Sequence, residues 1–221
     1  KTSFEPLLGP AITRNLKAGD RAAIARHTSQ VGFWIIAAQT GIALALGIPG
    51  EAVMGLLGPN FVGGNGALAF LLLAEVAAAT AVVSEAVLIY VARVRNLAVS
   101  IATIALQGTL TVGLILLFRG AGYPETFQAA GAAIALLVAL GFASLIKSRM
   151  LSRRLGRHVS AFRWSLVWAA GPAVLAGMAA TLLPEWLELA IGMPAILVIY
   201  GLVIWKRGFG AEDRALFRLK G

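Results

Sequence analysis

Six runs of nearly continuous apolar residues follow one another along the chain, at positions 31–48, 67–92, 97–118, 127–146, 162–183 and 187–205, separated by short polar or glycine-rich segments. A helix rising about 1.5 Å per residue needs about 20 residues to cross about 30 Å of hydrocarbon, and each run approaches or exceeds that length. None shows the two-residue alternation of a barrel strand, and a lone strand in lipid would leave its amides unpaired. The expected fold class is therefore all-α: a polytopic helical membrane protein with six transmembrane helices. The expected organisation is an interfacial amphipathic segment over 1–30, a six-helix lobe over 31–205 and a basic tail over 206–221.

Local signals refine this picture. In the first segment Phe4, Leu7, Leu8, Ile12 and Leu16 are interrupted by Pro6, Pro10 and charges, and Gly19-Asp20 reads as a turn with Asp20 capping the next helix. Residues 55–64, with four glycines, a proline and no charge, read as a tight, partly embedded re-entry. The small residues of 74–81 give the second span a face that another helix can approach closely. Pro172, inside the fifth span between Gly171 and Ala173, removes a backbone donor and marks a kink and candidate hinge.

Charge sets the expected orientation. The chain holds 19 Lys and Arg, and alternate connections place all of them except Arg119 on one side. By the positive-inside rule that side is cytoplasmic, which puts both termini in the cytoplasm of a multi-pass bacterial inner-membrane protein. Trp34, Tyr90, Trp164 and Trp205 fall at that boundary, and Tyr123 and Trp186 at the other, as interfacial aromatics do. The formal charge of +9 does not argue for nucleic acid, because the basic residues lie between apolar runs rather than on a water-facing domain. With 59% hydrophobic and 13% charged residues the bilayer is the expected partner, and the absence of cysteine excludes disulfides and thiolate chemistry. The start at Lys1, without a signal-like leader, reads as a piece of a longer membrane protein.

Few residues offer chemistry. Glu75 and Glu85 are the acids inside the spans, both on the second; facing lipid would cost each about 3 kcal/mol, so both are expected to face protein or water. Ten residues apart, they lie within about 80° of each other on a helix. They are the candidates for ion coupling or a substrate pathway, with Glu85 near enough to one end to pair with Arg93 or Arg95. Gln39 and Gln107 are further polar candidates at similar depth. His27 and His158 stand in separate basic segments without a carboxylate at metal-ligand spacing, and the outer acids Glu51, Glu125, Glu185 and Glu188 are scattered over three loops. No metal, cofactor or enzymatic activity is expected.

The order Phe4-Glu5-Pro6-Leu7-Leu8-Gly9-Pro10, Leu16-Lys17-Ala18-Gly19-Asp20, Leu57-Gly58-Pro59-Asn60-Phe61-Val62-Gly63-Gly64 and Ala67-Leu68-Ala69-Phe70-Leu71-Leu72 resembles the second lobe of polysaccharide flippases. These are the Wzx-type members of the multidrug/oligosaccharidyl-lipid/polysaccharide exporter superfamily. The resemblance covers about residues 1–120, and the remainder agrees by topology alone. It implies one lobe of a two-lobe, alternating-access transporter that flips undecaprenyl-diphosphate-linked oligosaccharide for polysaccharide or lipopolysaccharide biosynthesis, with other polysaccharide-assembly proteins as further partners. No cationic residue to meet the diphosphate is evident within the spans. The alternatives are a small-solute or drug exporter of the same superfamily and a non-transport membrane anchor or assembly subunit.

Overall fold

The computed structural model describes residues 12–210 and Asp213. Among these residues the chain is helical, without a strand. The long elements are α1 (Arg21–Gly47), α2 (Asn65–Val91), α3 (Arg93–Gly120), α4 (Glu125–Leu155), α5 (Ser165–Ala180) and α6 (Glu185–Gly208). All but α5 are long and apolar enough to cross a membrane, whereas α5 has 16 residues. A helical membrane protein is thus what the elements describe. Phe4, Leu7 and Leu8 of the amphipathic segment lie outside the described residues.

Helix ends differ from the apolar limits, because hydropathy marks where a helix enters hydrocarbon and backbone bonding continues past that point. α1 begins ten residues before the predicted span and runs unbroken through Val31; Asp20 caps it, its carboxylate accepting from the Ala23 N–H at 2.8 Å. α4 continues to Leu155 and stops at Gly156, whose left-handed φ of 65° favours glycine. α2 and α3 are separated by Ala92 alone, so Arg93 and Arg95 belong to a helix rather than a connection. The glycine-rich 55–64 stretch forms helical turns, Gly50–Gly55 and a 3-10 turn over Pro59–Gly64, with Leu56, Leu57 and Phe61 exposed. In α6, Pro194 removes the donor that Ala190 would otherwise meet, and the chain passes this point through a π turn at Glu188–Gly192.

Contacts fix the directions. Ile24 of α1, Val87 and Leu88 of α2, and Leu151 and Leu155 of α4 share one cluster, so the start of α1 meets the ends of α2 and α4. Phe33, Leu166 and Ile204 share another, placing the start of α5 and the end of α6 alongside. The helices therefore alternate, and the ends rich in Lys and Arg gather at one pole, the basic end. Helices in lipid gain little from apolar burial as such and associate through close packing. The α2–α4 contact is the most extensive and is built this way: Ala74, Ala78 and Ala81 of the small-residue face are buried, as are Ala135, Ala139 and Ala143 of α4. Ser144 fastens the pair by donating to the Ala77 carbonyl and accepting from the Ala81 N–H. α3 packs mainly on α4 and is otherwise uncovered. α1 bridges to the α5–α6 pair, and at Gly32 it meets the segment entering α5 so closely that a Cβ there would lie 2.6 Å from that of Ala161.

Candidate functional site

A polar interior position lies where α2, α3 and α4 meet near the basic end. Lys147, 4% exposed, sits two turns before the end of α4, and its ammonium donates to Glu85 Oε2 at 3.0 Å and to Ser100 Oγ at 3.0 Å. Asn96 Nδ2 approaches the other Glu85 oxygen at 3.5 Å, and its own buried Oδ1 has no partner. The near-immediate turn at Ala92 is what brings this about. It sets Glu85, two turns before the end of α2, beside Asn96 and Ser100 in the opening turns of α3, with α4 packed against both. A lysine held away from water needs the half-exposed glutamate beside it: the pair's attraction must offset the desolvation of the ammonium.

Glu85 was expected to reach Arg93 or Arg95, but its partner is Lys147. The apolar run ends at 146, which assigned Lys147 to a loop; the helix carries on past it, and the ammonium is turned inward. A signal existed in the sequence. Gly131, Ala135, Ala139, Ala143, Lys147, Leu151 and Leu155 form one unbroken i, i+4 ridge, every member of which is buried. A lysine in such a ridge is an interior lysine, and it supplies a cationic group inside the helical bundle.

The other candidates do not join this site. Glu75 is exposed on the outer surface of α2, pointing away from the packed alanines on either side of it. Gln39 on α1 is half-buried and its Oε1 has no partner, while Gln107 is half-buried on α3. Pro172 lies on the exposed side of α5, with Ala169 and Ala173 packed inward. It leaves the Trp168 carbonyl without its usual helical donor.

Two cavities open at opposite poles. At the basic end a groove of about 570 Å³ lies between α4 and the segment after it, lined by Ser148, Arg149, Ser152, Arg153, His158 and Phe162 among others. At the far end a cavity of about 430 Å³ is lined by Glu51, Asn65, Thr181 and the buried Glu188. Glu51 and Glu185 both lie close enough to Glu188 to act on it electrostatically, so three of the four acids scattered in sequence are gathered here. Among the described residues no group of side chains is arranged to hold a metal ion.

A further buried charge ties the basic end together. Asp213, 2% exposed, accepts from Arg163 Nη1 at 2.7 Å, Gln30 Nε2 at 2.8 Å, the Gly210 N–H at 2.9 Å and Trp34 Nε1 at 3.0 Å. Burial alone would raise its pKa; these donors outweigh that and push it down to about 2. Arg163 also donates to the Gly208 carbonyl and stacks over Phe33 at 4.0 Å. One carboxylate thus links α1, the entry to α5 and the exit of α6.

No known protein family matches the chain, and neither the curated proteins nor the solved structures contain a match to it.

Proposed function

We propose that this chain is a six-span lobe of a bacterial inner-membrane transporter, the second of two, and that the transporter moves lipid-linked oligosaccharide of the undecaprenyl-diphosphate type between leaflets. The observation that carries the transport reading is the Glu85–Lys147 pair in the seam of three apolar helices. A static anchor gains nothing from such a pair, since apolar residues of similar volume fill the same space at equal or better stability. A transporter, by contrast, needs ionisable contacts at the seams along which its helices separate. The resemblance of the first 120 residues to polysaccharide flippases supplies the cargo, and movement of such a cargo requires no covalent chemistry.

Within this proposal α5 is the fifth span, its 16 helical residues extended by the turn over residues 181–183. The basic end faces the cytoplasm, in keeping with the positive-inside rule. The test is complementation by the full-length protein in a strain lacking its own polysaccharide flippase, with surface glycan and the inner-leaflet lipid-linked intermediate quantified together. Restored surface glycan with depletion of the intermediate supports the reading. Persistent accumulation across several glycan backgrounds, with the protein correctly inserted, refutes it.

A further inference from the structure

One face of α4 changes character along its length. Val138, Phe142, Leu145, Arg149 and Arg153 are all exposed, and steps of three and four residues confine them to an arc of about 80°. The stripe is apolar for its first three members and cationic for its last two, which enter the basic-end groove. Arg149 to Leu145 is one helical turn, so the charged end and the apolar end are continuous.

The groove is also one-signed. Its lining contains Arg149, Arg153 and His158 and no carboxylate, and among the described residues neither arginine forms an ion pair. Of the nearby hydroxyls, Ser144 donates to the α2 backbone and Ser148 to the Leu145 carbonyl, while Ser152 accepts from the Val159 N–H and keeps its own proton. The guanidinium groups are the groove's charged, forked donors. Two arginines at i, i+4 repel each other, and an anion between them turns that repulsion into attraction with paired, charge-assisted hydrogen bonds.

We infer that the α4 stripe and its groove form a binding site for a membrane lipid with a phosphomonoester head, the phosphate held by Arg149 and Arg153 beside His158 and the chain lying along Leu145, Phe142 and Val138. A phosphomonoester matches the site better than a phosphodiester does, because it presents more charge and three open oxygens to two forked donors. The apolar half of the stripe selects a lipid over a free anion: a soluble phosphate would leave it unused. This site lies on a different face of α4 from Lys147 and does not depend on the transport reading.

The test uses the full-length protein, delipidated in detergent, with dioleoyl phosphatidic acid as probe and dioleoyl phosphatidylcholine, which has the same tails, as control. Bound lipid is counted by native mass spectrometry. Phosphatidic acid is expected to bind at least about tenfold more tightly than phosphatidylcholine, as loss of charge-assisted hydrogen bonds implies. The double substitution Arg149→Gln with Arg153→Gln is expected to abolish that preference while leaving the lipid-free unfolding temperature unchanged, since both side chains are exposed. Arg149→Lys, which keeps the charge and loses the fork, is expected to retain part of it. Leu145→Ser is expected to weaken phosphatidic acid binding several-fold. Equal binding of the two lipids overturns the inference, as does a preference that survives the double substitution. Displacement of the lipid by an equal concentration of inorganic phosphate would overturn the lipid assignment in favour of a free anion.

Discussion

Replacing Lys147 by methionine removes a charge while nearly preserving volume, so its consequence can be worked from the contacts. The wild-type ammonium supplies a 3.0 Å bond to Glu85 and another to Ser100. In the variant Glu85 keeps only Asn96, at 3.5 Å. Stranding a fully buried partner costs about 3–5 kcal/mol. The Glu85 side chain is 37% exposed, so water recovers part of that loss, and we expect Lys147→Met to destabilise by about 2 kcal/mol. Glu85→Leu, which strands the more deeply buried lysine, is expected to cost at least as much. The double variant removes both charges and is expected to return to within about 1 kcal/mol of wild type, a coupling of about 3 kcal/mol or more between neighbours. Unfolding of the purified full-length protein in detergent, followed for the four members of the cycle, measures this. Singles as stable as wild type, or a double variant as unstable as the sum of the singles, would refute the reasoning. On the proposed function, glycan export by the same four proteins then separates two roles: a stable, correctly inserted double variant that no longer exports marks the pair as part of a transport cycle, and one that exports normally marks it as packing.

Four further outcomes follow from individual contacts. The depressed pKa of Asp213 means that its ionised form contributes about 2 kcal/mol of stability, present above its unfolded pKa of about 4 and lost as pH falls through about 2; Asp213→Asn should remove this contribution at neutral pH and flatten the acid limb of unfolding midpoint against pH. Gly32→Ala places a methyl 2.6 Å from that of Ala161, and the strain, about 1–3 kcal/mol, should exceed the roughly 1 kcal/mol gain in helix propensity, lowering the unfolding temperature. On the same proposal, Glu75→Gln should reduce export at normal membrane abundance, because a carboxylate on the open face of α2 is costly unless it meets water or protein; unchanged export would make it dispensable. Pro172→Ala restores the donor to the Trp168 carbonyl and, on the proposed function, should leave abundance unchanged while slowing export; wild-type export would show that α5 does not bend there.

Among the described residues hydropathy read along the chain located each long helix, because the requirement to satisfy backbone groups in an apolar solvent acts on each segment separately. The same locality explains why Asp20 could be recognised as a cap and 74–81 as a packing face: both depend on neighbours within a turn or two. Sorting of Lys and Arg by connection also anticipated the basic end on which the helices converge. What hydropathy could not supply was where a helix stops once it leaves the apolar stretch, and Lys147 was misread for that reason. Its burial depends on α4 continuing to Leu155 and on α2 and α3 both packing against it.

The same distinction governs the charged groups. The sequence alone determined that Glu75 and Glu85 lie on one helix, since ten residues of regular helix fix their angle. Only the tertiary structure decided that Glu85 turns to a lysine 62 residues away while Glu75 faces outward. It likewise gathered Glu51 with Glu185 and Glu188, and closed Asp213 onto Gln30 and Trp34 across more than 170 positions. The physical reason is that an ion pair or a shared field depends on distances of a few ångströms in space, and those distances exist only after the helices have packed.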